Sequence, residues 1–261
     1  MHLILTGATG LVGSAALDAM IKMKDITKIS VISRRPVKMA DDAKDPRINV
    51  ILHSDFNKYD DELLEKLKDA SGCVWALGIS QNAVSKEEYV KITKDYALAA
   101  ATAFQTLPAK SGQAAPAPFR FVYVSGEGAT FAPGAFTPIF GRVKGETELA
   151  LAAMRKANPV LQANTVRPSF VDWGGDKAIA SYIPAPGAVR NILLGAIRVP
   201  MRAGFFNSHW SPTEPLGRFL AEMAAGRFDE AAMVGPGFEK LDGGFTVVDN
   251  PGFRKLAGLD K

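Results

Sequence analysis

Cysteine is nearly absent: Cys73 is the single thiol in 261 residues. That excludes an internal disulfide and any zinc site built from several cysteines. Cys73 lies in the apolar stretch Cys73-Val74-Trp75-Ala76-Leu77, the company of an inert core thiol rather than a reactive one. A reducing, cytoplasmic setting is the expectation. Histidine is scarce too. His2, His53 and His209 have no metal-ligand spacing between any two, so no metal is expected. No apolar run reaches about 18 residues, so no integral membrane segment is expected. The start, Met1-His2-Leu3-Ile4-Leu5-Thr6-Gly7, has no basic n-region and meets glycine too early for a signal peptide. No block of about five or six basic residues occurs. The net charge of +4 therefore does not argue for a nucleic-acid partner, and its local use would be a small anion. No internal repeat is visible.

What is present is ordinary globular material. Hydrophobic residues make up 47% and charged residues 22%, which excludes a disordered chain, a collagen-like repeat and a coiled coil. The first part of the chain alternates strand and helix signals. Leu3-Ile4-Leu5, Ile29 to Ser33, Val50-Ile51-Leu52, Cys73 to Leu77, Phe121 to Val124 and Asn164 to Val166 read as six strands. Between them Val12, Ala16, Ala19, Met20 and Met23 recur at helical spacing. Leu63, Leu64 and Leu67 mark a second helix, and a longer one runs from Ser85 to Phe104. Ser85 is its N-cap, with Glu88 as the capping-box partner. Phe140 to Lys156 reads as a further helix.

Such alternation predicts an α/β fold, a Rossmann-like doubly wound parallel sheet with helices on both faces. After Arg167 the pattern degrades, broken by Pro184, Pro186, Pro200, Pro212 and Pro215, with one clear helix from Thr213 to Ala225. Pro108 to Pro118 reads as a surface loop. No linker sets off a second domain. One domain over 1–261 is expected, with 1–170 as a cofactor-binding core and 171–261 as a small irregular C-terminal cap.

Thr6-Gly7-Ala8-Thr9-Gly10-Leu11-Val12-Gly13 joins the first strand to the first helix. Gly7 allows the tight turn, Gly10 a close approach of pyrophosphate, and Gly13 close packing of helix on sheet. The free N–H groups of the helix start, around Leu11 and Val12, would face the phosphates beside Thr9. The strand–turn–helix context makes this a dinucleotide-binding motif. A carboxylate at the end of the second strand would mark a free ribose 2′-hydroxyl. Ser33-Arg34-Arg35 stands there instead, and arginine forks match a phosphate. NADP(H) is the favoured cofactor, the alternative being two solvated loop arginines. Asp55 and Phe56 follow the third strand, where a carboxylate and a ring would meet adenine or simply lie on a surface loop. Leu77-Gly78 ends the fourth strand as a wall with room for the adenine ribose.

This ordered set, with Tyr123-Val124-Ser125, Val143-Lys144-Gly145-Glu146 and Val166-Arg167-Pro168, resembles the short-chain dehydrogenase/reductase superfamily. More narrowly, it is similar to the atypical branch around the Tat-interacting-protein-like oxidoreductases. The resemblance covers the first 170 residues or so. It implies that Ser125 orients a substrate carbonyl and that Lys144 holds the nicotinamide ribose. It also implies that the backbone at Pro168 and Ser169 meets the nicotinamide amide. The tyrosine of the pattern, four residues before Lys144, is Phe140 here. A phenyl ring has no proton to give, and a positioned general acid contributes about 10²–10⁴ in rate. Glu127 and, in the part of the fold that lies over the nicotinamide, Tyr182 are the candidate replacements. Tyr123, Thr130, Thr137 and His209 are weaker ones. Phe205, Phe206 and Trp210 form an aromatic cluster suited to core, to an oligomer contact or to an apolar pocket.

Three functions are open on this reading. The first is NADP(H)-dependent reduction of a small apolar or aromatic carbonyl substrate. The second is a redox-neutral isomerisation, cyclisation or dehydration in the same pocket. The third is a regulatory protein that binds NADPH without chemistry. The helices around Tyr96 and Leu149 offer faces for a homodimer.

Overall fold

The computed structural model describes residues 1–110, 117–183 and 207–260. Every side chain of β1 (His2–Thr6) is buried, as a central strand covered on both faces requires. β1 pairs in parallel with β2 (Lys28–Ser33) on one side and with β4 (Gly72–Trp75) on the other. The remaining strands of this sheet are β3 (Ile48–Leu52), β5 (Phe119–Val124), β6 (Leu161–Val166), β9 (Phe238–Lys240) and β10 (Thr246–Val248). Their order is β3-β2-β1-β4-β5-β6-β10-β9. All pairings are parallel except that of β9 with β10. The order reverses between β1 and β4, which opens a crevice at the strands' C-terminal ends.

Alternation along each strand divides the core. Leu3, Leu5, Val31, Val74 and Val122 face α1 (Leu11–Lys22) and α2 (Lys38–Ala43). Ile4, Ile32, Cys73, Trp75, Phe121 and Tyr123 face the opposite layer. That layer holds α3 (Asp61–Leu67) and a long helical run. The run begins as α4 (Lys86–Val90), loosens into a π turn (Lys91–Asp95) and continues as α5 (Tyr96–Phe104). Ser85 Oγ accepts the Glu88 N–H at 3.2 Å, so the expected N-cap is in place. After the short α6 (Leu107–Lys110), α7 (Ile139–Ala157) completes the face.

The boundary expected near 170 is not the boundary of the sheet. β10 pairs with β6 through Val247 opposite Thr165 and Val248 opposite Val166. Helix α8 (Thr213–Ala224) packs on α1 so closely that a Cβ on Gly217 would stand 2.3 Å from the Ala15 carbonyl oxygen. Helix α9 (Asn250–Leu256) follows β10 directly. The described residues after 206 thus build core, not an appended cap. Strands of three residues are too short to show a period in sequence. A separate parallel pair joins β7 (Phe170–Asp172) to β8 (Trp210–Pro212). Pro184, Pro186, Pro200, Phe205, Phe206 and residues 111–116 of the expected surface loop lie outside the described residues. Among the described residues no helix is long and apolar enough to cross a membrane.

Candidate functional site

Gly7 leaves β1 with φ of +72°, and a Cβ there would stand 2.2 Å from the Ala76 carbonyl oxygen. Only glycine fits this turn under the end of β4. The Gly10 N–H closes the turn onto Gly7 O at 2.9 Å. A Cβ on Gly13 would stand 2.1 Å from Gly7 O, so the glycine brings α1 against the turn. Ser14 Oγ donates to Ala8 O at 3.0 Å and Gly10 O at 2.8 Å. No side chain caps α1, which leaves its first N–H groups, from Leu11 and Val12 on, for an anion.

Gly7, Thr9, Ser33, Arg34, Arg35, Phe56 and Leu77 line one cavity of about 310 Å³ together with Ile32. Seven residues singled out in sequence therefore meet, and among the described residues no carboxylate lines that space. Arg35 Nη2 donates to Thr9 Oγ1 at 3.3 Å. Ser33 Oγ donates to Arg35 O at 2.7 Å and fixes the bend after β2. Gly78 faces open space. Asp55 does not line the cavity. Its Oδ1 accepts from the Asn57 backbone and side-chain amides, at 3.1 and 3.2 Å, in a local turn. Those bonds hold its carboxyl below the usual range. A second cavity of about 430 Å³ lies beside Thr9, Arg35, Lys38 and Tyr182. The Tyr182 hydroxyl donates to Asp42 on α2 at 3.0 Å, and Lys38 Nζ lies 5.4 Å from its ring centre. Tyr182 thus packs at the β2 end of the crevice, not beside Ser125 as a replacement proton donor must. Its partners come from a helix 140 residues away in sequence.

Ser125 follows β5, and its N–H donates to Val166 O at 2.8 Å. Its hydroxyl is buried and has no partner among the described residues. A buried hydroxyl without a partner is costly unless a ligand satisfies it. Lys144, one turn into α7, donates to Val124 O at 2.8 Å and Ser125 O at 3.2 Å. Loss of hydration pushes its ammonium down to about 8, against the opposing pull of Glu148. The Phe140 ring lies over the loop after Ser125, its tip 2.9 Å from where a Cβ on Gly126 would stand. Tyr123 is excluded as proton donor, since its buried hydroxyl donates to Thr93 O at 3.1 Å and burial raises its pKa. Thr130 and Thr137 accept from nearby backbone N–H groups within their own loop.

Glu127 lies two residues past Ser125. One carboxylate oxygen accepts from Ser169 Oγ, and the other accepts from His209 Nδ1 at 2.7 Å. The Glu127 N–H donates to Pro168 O at 2.9 Å. The Ser169 N–H donates to Ser211 Oγ at 3.0 Å, so the Pro168 carbonyl and the Ser169 N–H each have a partner within the chain. Arg167 closes a bidentate pair with the fully buried Glu148. Sequence reasoning ranked His209 only among the weaker candidates, because nothing local ties it to a carboxylate 82 residues earlier. It also missed Gln81, whose side-chain oxygen accepts the Phe140 N–H at 2.9 Å, and Lys38.

The sheet order and the glycine turn define a Rossmann-type α/β protein with the fold of the short-chain dehydrogenase/reductase superfamily. No protein-family model matches the chain. A short-chain dehydrogenase/reductase of Saccharomyces cerevisiae superposes with a TM-score of 0.63 at 14% identity, over 97% of this chain and 98% of that one. A dTDP-glucose 4,6-dehydratase of Streptomyces venezuelae, solved with NAD, gives 0.60 at 15% identity, over 99% and 80%. Botcinic acid biosynthesis cluster B protein 16 of Botryotinia fuckeliana is 47% identical over 144 residues, 54% of this chain and 87% of that protein. The chain belongs to the family of that protein. Leucinostatins biosynthesis cluster protein T of Purpureocillium lilacinum is 45% identical over 128 residues, but the match spans only 44% of its length. A mitochondrial protein of Emericella nidulans, fmp52, is 30% identical over 172 residues, 65% of this chain and 66% of that protein.

Proposed function

We propose that the chain is an NADP(H)-dependent oxidoreductase that reduces a small apolar or aromatic carbonyl compound. The observation that carries this is the meeting of Gly7, Thr9, Ser33, Arg34, Arg35, Phe56 and Leu77 on one cavity at the crevice. The residues fit a dinucleotide. A side chain at Gly7 would fill the turn, and the unpartnered Ser125 hydroxyl awaits a ligand oxygen. Two arginines and no carboxylate on that lining support a 2′-phosphate. When bound, a reduced nicotinamide supplies hydride. Ser125 orients the carbonyl by donating to its oxygen. The Lys144 ammonium has three donors. Two hold the Val124 and Ser125 carbonyls, and the third, without a hydrogen-bond partner among the described residues, is left for the cofactor ribose.

Two relatives are named for biosynthetic clusters, which supports an intermediate of small-molecule biosynthesis as substrate. Placement in the Tat-interacting-protein-like branch rests on the ordered motifs and belongs to the same proposal. So do a cytoplasmic location and a homodimer. Fluorescence titration with NADPH and NADH tests the cofactor, and loss of NADPH absorbance over a panel of aldehydes, ketones and quinones tests the chemistry. Tight NADPH binding with substrate-dependent oxidation is expected. Absence of binding overturns the reading.

Phe140 favours a second reading, a redox-neutral dehydration or isomerisation. Product formed without net consumption of NADPH distinguishes it.

A further inference from the structure

We propose that His209 and Glu127 form the proton-donating pair of this site, with His209 as the catalytic acid and Glu127 as its positioning residue. The proposal rests on the reductase reading above. Reduction of a carbonyl needs a hydride at carbon, which a bound reduced nicotinamide supplies, and a proton at oxygen, which it does not. Held as the imidazolium against the Glu127 carboxylate, His209 gives that proton from its Nε2–H. The C=O π pair becomes the O–H bond, and the neutral imidazole regains its proton from solvent.

Four observations converge. Phe140, at the position where a hydroxyl would serve, lies over Gly126 and Gly128 and gives no proton. Glu127 sits between these glycines, two residues from Ser125, and its N–H is strapped to Pro168 O. The carboxylate takes the Nδ1 proton of His209 at 2.7 Å. That keeps the Nδ1 proton in place, and Nε2, with no partner among the described residues, is left to carry the proton that is transferred. Finally, the backbone that carries His209 is clamped from below. Asn250 Nδ2 donates to Ser208 O at 2.6 Å, and Arg254 Nη1 donates to Trp210 O at 3.0 Å. Both side chains are almost fully buried, at 1% and 2% exposure. The Arg254 guanidinium is itself anchored by Asp260 at 2.6 Å and the Asn250 side-chain oxygen by Ser211 Oγ at 2.6 Å, so the two side chains hold the turn that carries the exposed imidazole from fixed positions.

The order of the groups excludes Ser169 as a nucleophile activated by His209. Here the carboxylate stands between Ser169 and His209, whereas activation of a serine needs the imidazole between the hydroxyl and the carboxylate. Ser169 therefore orients Glu127 from the other side.

The test compares wild type with His209→Gln, His209→Ala and Glu127→Gln, using 4-nitrobenzaldehyde and an ortho-quinone as probes. NADPH affinity is read by fluorescence. His209→Gln is expected to lose about 10²–10⁴ in kcat with NADPH affinity within about threefold of wild type. Imidazole in the buffer restores turnover to His209→Ala. A His209→Gln enzyme with wild-type kcat overturns the proposal. So does one that loses turnover and NADPH affinity together.

A readout independent of turnover separates this proposal from the reductase reading. His2 has both ring nitrogens engaged and the His53 Nε2 is buried, so diethyl pyrocarbonate should label His209 first. Saturating 4-nitrobenzaldehyde is expected to slow that labelling in peptide mass spectra. If wild type consumes no NADPH and His209 is still protected, the reductase reading fails while the placement of His209 against the carbonyl group stands. If labelling proceeds at the same rate with and without the aldehyde, the pair is overturned, whatever the cofactor does.

Discussion

The Arg35 guanidinium reaches from the end of β2 to the Thr9 hydroxyl in the glycine turn, Nη2 to Oγ1 at 3.3 Å. That contact sets a fork of donors at the rim between the two cavities. A charge-assisted hydrogen bond contributes about 1.5–3 kcal/mol. Arg35→Ala is therefore expected to weaken NADPH about 10- to 100-fold and to leave NADH within about threefold. Paired fluorescence titrations check this, and equal losses for both cofactors would sink the 2′-phosphate assignment.

Under the proposed function, Lys144 is expected to make stability and cofactor affinity move in opposite directions with pH. Its folded-state value of about 8 lies below the ordinary 10.5. Between those values the unfolded chain holds the proton and the folded one has released it. Stability therefore rises with pH across that window, and Lys144→Met flattens the slope in urea unfolding. Cofactor affinity is expected to fall as pH passes about 8, because the neutral amine loses its third donor.

Phe140→Tyr is expected to change kcat by less than about tenfold, well short of the ~10²–10⁴ of a positioned acid. The ring tip already abuts Gly126, so the new hydroxyl meets backbone rather than the Ser125 side of the crevice. Steady-state rates with the carbonyl panel check it, and a hundredfold rise would show that the tyrosine geometry survives.

Glu148 is fully buried and pairs with Arg167, whose guanidinium also lies 4.7 Å from the Phe131 ring centre. Glu148→Leu leaves that guanidinium unpaired and is expected to cost about 3–5 kcal/mol. The double variant Glu148→Leu, Arg167→Met is expected to recover most of the loss. Urea denaturation of the three proteins measures it, and equal instability of single and double variants would contradict the ion-pair account.

The six parallel strands and the helices between them were legible because buried strands are apolar throughout and helices keep their own period. β9, β10 and the pair β7–β8 were not, since three residues carry no period. Their place is set by partners far away, as where Val247 meets Thr165. The same division runs through the site. Gly7, Gly13 and the arginines after β2 act through backbone conformation or charge at one point of the chain, so local sequence was enough to find them. Tyr182 went astray because its partner Asp42 is 140 positions off.

By itself, then, the sequence determined a glycine turn after the first strand and a ring without a phenolic proton at Phe140. A glycine's tolerance of φ near +72° and a ring without a hydroxyl are properties of single residues. Only the tertiary structure decided what stands near that missing proton. Glu127 lies on the loop after β5, and His209 ends a short 3-10 turn directly before β8. Their hydrogen bond exists because β5 and β6 end side by side and Asn250 holds the backbone around His209 against that edge.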